Sequence, residues 1–190
     1  KQFRYILITL SVFVFSLTVI SCKSSDDGST STDNTTTSSG FFVTVGDNGV
    51  ILTSSDGTSW DKGISGTTNN LSGVTYGNST FLAAGASGTI LTSSNGTAWT
   101  SITSGTTNNL SGVTYGNSTL VTVGDNGTIL TSADGTSWTK RTSGTSEHLY
   151  GVTNGDGLFV VVGENATILT SSDGTTWTER DGLRSKWAIP

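Results

Sequence analysis

A 39-residue repeat is the feature that most constrains how this chain of 190 residues can fold. Four copies follow one another without a gap, and each carries a tryptophan at the same place: Trp60, Trp99, Trp138 and Trp177. The second and third copies share the string SGTTNNLSGVTYGNST. Repeats of about 20–50 residues are typical of solenoids and propellers, in which each unit buries its apolar surface against its neighbours.

Each unit contains four short runs of β-prone residues separated by turn residues. In the second unit the runs are Gly73–Tyr76, Thr80–Ala84, Thr89–Ser93 and Trp99–Thr103. An Asp-Gly or Asn-Gly step follows the third run of every unit and predicts a tight type I′ hairpin. The third run has adjacent apolar residues, such as Ile90-Leu91, which indicates that both faces of that strand are covered. We therefore predict an all-β fold of antiparallel sheets packed face to face, a β-propeller.

The repeat domain is predicted to span residues 41–190, with units at about 41–70, 71–109, 110–148 and 149–187. The first unit begins with the sequence of a second strand, so three strands are expected before three complete units of four. Two arrangements remain open: a four-bladed ring in which residues 185–190 complete the first blade, or part of a larger propeller. In the second arrangement the end blades expose apolar residues such as Ile51 and Ile168, and the domain self-associates.

The segment after the third run carries a family resemblance. Ser54–Trp60 reads SSDGTSW and resembles the Asp-box of sialidase-like (BNR) propellers, although Asp and Gly are adjacent here and the turn is shorter by one residue. The repeats are also similar to propellers of the photosystem II assembly-factor type. The resemblance implies a structural role, in which a carboxylate or amide accepts backbone N–H groups of its own turn and a tryptophan covers the hairpin. The box residues are Asp56, Trp60, Asn95, Trp99, Asp134, Trp138, Asp173 and Trp177.

The N-terminal segment predicts export and a lipid anchor. Lys1 and Arg4 precede an uncharged run, residues 5–20, that is short for a membrane span. The run ends in VISC, which resembles the lipobox of bacterial lipoproteins and implies a signal peptide over residues 1–21 and a lipid on Cys22. An ordinary secretory signal is the alternative. Residues 22–40 contain no apolar residue after the cysteine, so a disordered tether is expected.

Catalytic chemistry is not predicted. A sialidase-like enzyme needs three converging arginines, whereas Arg141 and Arg180 lie one repeat apart and therefore occupy equivalent places on neighbouring units. His148 is the only histidine and is interpreted as a solvated loop residue. One carboxylate per box does not make a metal site, and no cofactor is expected. The best candidates for a polar binding rim are three turn acids and two first-strand tyrosines, whose alternative roles are turn capping and hub packing: Asp47, Asp125, Glu164, Tyr76 and Tyr115.

The functional prediction is a lipid-anchored, non-catalytic binding or scaffold module at the bacterial cell envelope, in the outer membrane or at the cell surface. Its partners would be the membrane, through the anchor, and an unidentified protein or glycan. The formal net charge of −5 argues against a nucleic-acid partner. Two alternatives remain: a carbohydrate-active enzyme of sialidase-like type, and a purely structural repeat domain.

Overall fold

The computed structural model describes residues 41–180, which form 15 β-strands and three short 3-10 turns. The prediction of an all-β fold is confirmed, as is the expected series of three strands followed by three sets of four. No helix that is long and apolar enough to cross a bilayer occurs within this range. The predicted signal peptide, Cys22, the tether and the closing strand over residues 185–190 lie outside the described residues.

The strands form four antiparallel sheets, here called blades 1 to 4, and sequential strands are neighbours in every sheet. Blade 1 contains β1 (Phe42–Val45), β2 (Ile51–Ser54) and β3 (Asp61–Lys62). Blade 2 contains β4 (Leu71–Gly77), β5 (Thr80–Gly85), β6 (Ile90–Ser93) and β7 (Thr100–Ile102). Blade 3 contains β8 (Leu110–Gly116), β9 (Thr119–Gly124), β10 (Thr128–Ser132) and β11 (Thr139–Arg141). Blade 4 contains β12 (Leu149–Gly155), β13 (Leu158–Gly163), β14 (Ile168–Ser171) and β15 (Thr178–Glu179).

The tight hairpin of each complete blade lies in a different place from the one predicted. Asn78 and Ser79 join β4 to β5 and both have positive φ, 50° and 59°, as a type I′ turn requires. The Asp-Gly step after the third strand is not such a turn, because Gly57 has positive φ and Asp56 does not. That loop spans several residues, since Thr53 pairs with Asp61 across it. The Asp-Gly or Asn-Gly step therefore predicted the position of a turn correctly, but the prediction of a type I′ backbone there was wrong.

The first strands of the complete blades, which are β4, β8 and β12, pack against one another along the inner side of the row of blades. A Cβ added at Gly77 on β4 would collide with the ring of Tyr115 on β8. In the same way, a Cβ at Gly116 would collide with the side chain of Asn154 on β12. Glycine at the ends of β4 and β8 therefore makes room for a side chain of the next blade.

Three apolar clusters join successive blades and form the core. Between blades 2 and 3, for example, Leu82, Ala84 and Ile90 pack against Leu110 and Leu120, and all five side chains are buried. Equivalent clusters join blade 1 to blade 2 and blade 3 to blade 4. Each blade thus has a forward face, turned to the next blade, and a backward face, turned to the previous one. Burial of both faces explains the adjacent apolar residues in the third strands.

Within residues 41–180, blades 1 to 4 follow one another in an arc that leaves the forward face of blade 4 uncovered. On the forward face of blade 4, Val162 is 48% exposed, whereas Ala84 and Val123 at the equivalent positions are fully buried. Ile168 is half-buried on the same face. The expectation that Ile51 is exposed was wrong, because this residue lies on the forward face of blade 1 and is buried against blade 2.

Candidate functional site

The predicted box loops connect the third and fourth strands and stabilise their own turns. Asp134 Oδ1 accepts hydrogen bonds from the backbone N–H groups of Thr136 and Ser137, each at 2.8 Å. The Ser132 hydroxyl donates to the same oxygen, and the Trp138 indole N–H donates to the Gly135 carbonyl at 3.2 Å. Asn95 makes the equivalent backbone bonds at 3.0 Å without a charge. The geometry is therefore maintained by an oxygen acceptor and does not depend on a carboxylate.

The same hydrogen bonds control the ionisation of the box acids. The backbone N–H of Ser137, followed by that of Thr136, holds the pKa of Asp134 well below its usual range, and Ser59 and Thr58 do the same for Asp56. For Asp173 the largest cause is the hydroxyl of Thr175. These acids therefore stay ionised at a more acidic pH than a free Asp does, because turn donors bond to the charged carboxylate. Across residues 41–180, no three His, Cys, Asp or Glu side chains are placed to hold a metal ion.

The opposite edge of the sheets, here called the rim edge, consists of the turns between second and third strands and the segments that precede the first strands. The amide oxygen of Asn70 accepts from the N–H of Asn48 on blade 1, at 2.9 Å. Asn109 makes the same bond to Ser87 on blade 2, at 2.9 Å. At both positions the asparagine side chain joins the segment before its own blade to a turn of the preceding blade. These bonds recur from unit to unit, which is typical of a structural role.

At the rim edge, each unit is counted here together with the segment that leads into the first strand of its blade. Counted in this way, unit 4 departs from the pattern at three neighbouring positions. The string Asn-Asn-Leu-Ser of units 2 and 3 becomes Glu147-His148-Leu149-Tyr150. His148 takes the place of the linking asparagine, and its Nδ1 lies 2.9 Å from Asp125 Oδ1 on blade 3. Asp125 also accepts from the Asn109 side-chain amide at 2.9 Å, through its other oxygen. His148 lies in a loop and its side chain is 41% exposed, in keeping with the expected solvated loop histidine, and the contact with Asp125 is an addition to that expectation.

Glu147 removes a buried hydrogen bond that the other complete units keep. In units 2 and 3 an asparagine amide donates to a threonine hydroxyl, from Asn69 to Thr89 and from Asn108 to Thr128, each at 2.8 Å. The equivalent hydroxyl in unit 4 belongs to Thr167, a residue that is 2% exposed. This hydroxyl has no hydrogen-bond partner. Glu147 instead accepts from the Asn165 side-chain amide at 2.7 Å. An unsatisfied buried hydroxyl costs about 1–3 kcal/mol, so unit 4 loses stability at this edge.

Tyr150 is presented to solvent by a β-bulge. The pairing of β12 with β13 shifts register between Leu149 and Gly151, which places Tyr150 at the irregular position. Bulges redirect side chains away from the regular pleat, and Tyr150 is 54% exposed. A hydrogen bond to Glu164 raises the pKa of Tyr150, and burial and the charges of Glu164, Asp125 and Glu147 act in the same direction.

The structure thus gathers one group of side chains, here called the unit-4 cluster: Asp125, Glu147, His148, Tyr150 and Glu164. Of the predicted rim acids, Asp125 and Glu164 belong to it, whereas Asp47 lies on blade 1. Tyr76 and Tyr115 are half-buried against the apolar clusters. Sequence reasoning missed Glu147 and Tyr150. A position-by-position comparison of the four units would have found them, because both fall where unit 4 breaks the repeat.

Solved structures of similar fold include two of YCF48. The structure of YCF48 bound to D1 peptide has a TM-score of 0.60 and 16% identity, over 76% of this chain and 51% of that chain. YCF48 from Cyanidioschyzon merolae has a TM-score of 0.57 and 18% identity, over 76% and 53%. An ancestral GH74 enzyme has a TM-score of 0.60 and 17% identity, over 77% and 23%. The chain spans about half of the YCF48 chains, and at these identities the likeness shows the fold alone.

The sequence itself identifies the family. No curated protein matches the chain. Residues 74–188, which are more than half of the chain, match the DUF6242 beta propeller domain. This range includes nearly all of blade 2 and the whole of blades 3 and 4. Together with the antiparallel blades described above, this match shows that the chain belongs to the DUF6242 β-propeller domain family.

Proposed function

We propose that this protein is a non-catalytic binding module and that the unit-4 cluster takes positively charged groups of a partner polypeptide. One observation carries the proposal. The unit that breaks the repeat at residues 147, 148 and 150 places His148 against the rim acid Asp125 and Tyr150 against the rim acid Glu164, with the charge of Glu147 near Tyr150. Places where a fold departs from its own local rules at a cost in stability are typically functional. The buried Thr167 hydroxyl without a partner is that cost here.

The chemistry of the cluster favours a cationic ligand. Asp125, Glu147 and Glu164 are close enough to Tyr150 for their charges to act on its hydroxyl. An exposed tyrosine ring supplies contact area at a small cost in conformational entropy, and its face attracts a cation. Carboxylates next to such a ring suit lysine or arginine side chains. The structure of YCF48 bound to D1 peptide supports the choice of a polypeptide, since a propeller of similar fold can bind one.

The described residues fit a sialidase-like activity less well than they fit a binding function. Arg141 Nε donates to Thr131 Oγ1 at 2.8 Å, and Arg180 Nε donates to Thr170 Oγ1 at 2.7 Å. Each arginine thus bonds within its own blade, at equivalent positions on neighbouring sheets. Such arginines do not converge on one carboxylate.

We place this module at the bacterial cell envelope, attached through a lipid on Cys22. The support is the basic start, the apolar run and the VISC string. Mass spectrometry of the N-terminal peptide of the protein extracted from membranes tests this. A diacylated Cys22 at the N-terminus is expected, and an unmodified Cys22 or cleavage at another residue would contradict it.

Binding to a matched pair of synthetic peptides tests the function. One peptide alternates lysine with glycine, and the other alternates glutamate with glycine. The 190-residue chain in non-ionic detergent is expected to bind the lysine peptide, with an affinity that falls as salt is added because charges are screened. The triple variant E147N/H148N/Y150S restores the residues of unit 3 and should bind at least about tenfold more weakly, a loss of roughly 1.4 kcal/mol.

The control variant is Asp61→Asn, which removes an exposed carboxylate on β3 of blade 1. It should bind the lysine peptide as the original chain does. Equal binding by the triple variant would contradict the assignment of the site. Failure to bind the lysine peptide, or equal binding of both peptides, would contradict the choice of a cationic ligand.

A further inference from the structure

The forward face of blade 4 is an apolar surface that the described residues leave uncovered. Leu158, Val160 and Val162 alternate along β13, and Ile168 pairs with Val162 on β14. Leu158 is 40% exposed and Val162 is 48% exposed. In the earlier blades the positions that correspond to Val160, Val162 and Ile168 are buried, as Leu82 and Ile90 show. A surface that is core elsewhere in the same chain is therefore exposed here.

The backward face of blade 1 is the complementary surface. Phe42 and Leu52 are half-buried there, and Trp60 is 37% exposed. The equivalent residues of the other blades belong to the apolar clusters. Phe159, Leu169 and Trp177, for example, pack against the forward face of blade 3. Blade 1 thus presents the type of surface that covers a forward face.

The interfaces within the chain show how these two surfaces fit. At three blade boundaries, a forward face of aliphatic residues meets a backward face with a large apolar side chain and a box tryptophan. Blade 4 exposes a forward face of this type, and blade 1 exposes a backward face of this type. The two halves are on opposite ends of one arc, so they are joined when one copy of the chain meets another head to tail.

Ala166 indicates that the forward face of blade 4 does not pack against another complete unit of the same kind. At the equivalent positions, Gly49, Gly88 and Gly127 have positive φ. A Cβ on any of them would collide with a backbone carbonyl of the next unit, that of Thr67, Thr106 or Thr145. Ala166 also has positive φ, 57°, and its methyl group fills that space. In blade 1, β1 corresponds to the second strand of the other blades. The described part of blade 1 therefore lacks the segment that carries such a carbonyl in the other units.

We propose that two copies of this chain associate head to tail, with the backward face of blade 1 in one copy packed on the forward face of blade 4 in the other. The interface is heterologous, because different surfaces of the two copies meet. It uses the same types of contact as the blade boundaries within each chain. This association is independent of the cationic ligand proposed above, since none of the side chains that meet in it belongs to the unit-4 cluster.

Complementation between two single variants tests the proposal. Leu52→Asp places a charge on the backward face of blade 1, and Val162→Asp places one on the forward face of blade 4. Each variant of the 190-residue chain is examined by analytical ultracentrifugation in density-matched non-ionic detergent. We expect the original chain to sediment as a dimer or larger species and each variant alone to sediment as a monomer. An equimolar mixture of the two variants should recover a dimer, because one intact interface remains.

Recovery in the mixture also shows that neither variant is misfolded. Three results would overturn the proposal. The original chain could be monomeric, as it would be if another segment of the same chain covered the face. Either variant could associate as the original does. The mixture could remain monomeric although both variants keep the far-ultraviolet circular dichroism of the original chain.

Discussion

The imidazole Nδ1 of His148 lies 2.9 Å from the Asp125 carboxylate and joins blade 4 to blade 3. In the two earlier units an asparagine at this position accepts a backbone N–H from the preceding turn. The substitution therefore replaces a neutral backbone contact with a contact between two ionisable side chains. Together with Glu147 and Tyr150, it converts a structural joint into a polar surface.

Glu147→Asn should stabilise the protein by about 0.5–1.5 kcal/mol, the value of one hydrogen bond. The new asparagine can donate to the buried Thr167 hydroxyl, as Asn69 and Asn108 do to their threonines. The matched control is Asn108→Glu in unit 3, which should destabilise by about 1–3 kcal/mol because it leaves Thr128 without that donor. Urea denaturation followed by circular dichroism measures both. A loss of stability in Glu147→Asn would contradict this account of Thr167.

Ala166→Gly should also stabilise the protein, by about 1 kcal/mol, because a left-handed backbone is strained for residues with a Cβ. The φ of Ala166 is 57°. Gly127→Ala provides the contrasting change, since it adds the same strain and also a collision with the Thr145 carbonyl. The midpoint of urea unfolding should rise in the first variant and fall in the second. Equal midpoints in both would show that the next unit does not occupy the space beside Gly127.

Stability should fall as the pH is lowered below about 4, the ordinary pKa of a free Asp. The pKa values of Asp56, Asp134 and Asp173 are lowered in the folded state by hydrogen bonds within their turns. Their contribution is therefore complete above the unfolded pKa and is lost as the pH falls through the folded one. Asp134→Asn should reduce this acid dependence, because Asn95 maintains the same turn without a charge. Unchanged acid dependence in that variant would contradict the assignment.

The box tryptophans should differ in their effect on stability. Trp99 is half-buried, its ring centroid lies 6.5 Å from that of Phe81, and its indole N–H donates to Gly96 at 2.9 Å. Trp99→Ala should cost about 3 kcal/mol, the low end for buried aromatic residues. Within one copy Trp60 is 37% exposed on the backward face of blade 1, so in the monomeric Val162→Asp background Trp60→Ala should cost about 1 kcal/mol. Unfolding experiments in which both variants lose the same stability would contradict this difference.

The repeat made the fold predictable from sequence. The fixed interval between Trp60 and Trp99 located the units, and the adjacent residues Ile90-Leu91 indicated burial on both faces. Because blades pack by repetition, knowledge of one unit determines the others. The error over Ile51 had a physical cause, since periodicity alone does not tell which face of an end blade meets its neighbour.

The site was predicted less completely because its geometry is not local. Asp125 and His148 are far apart in sequence, and only the stacking of blades 3 and 4 brings them together. The bulge that exposes Tyr150 depends on the register between β12 and β13, which no sequence pattern specified. The chemistry was nevertheless visible in the sequence as the replacement of Asn-Asn-Leu-Ser by Glu-His-Leu-Tyr.

The NMR signal of His148 reports whether a cationic polypeptide binds at the unit-4 cluster. This is the only histidine of the chain, so a protein without a histidine tag gives one imidazole Cε1–H signal in a carbon–proton NMR spectrum. Titration with the lysine–glycine peptide should shift that signal until it saturates, and the glutamate–glycine peptide should leave it in place. If the lysine–glycine peptide binds while the His148 signal stays unchanged, the binding site lies elsewhere and the account is wrong.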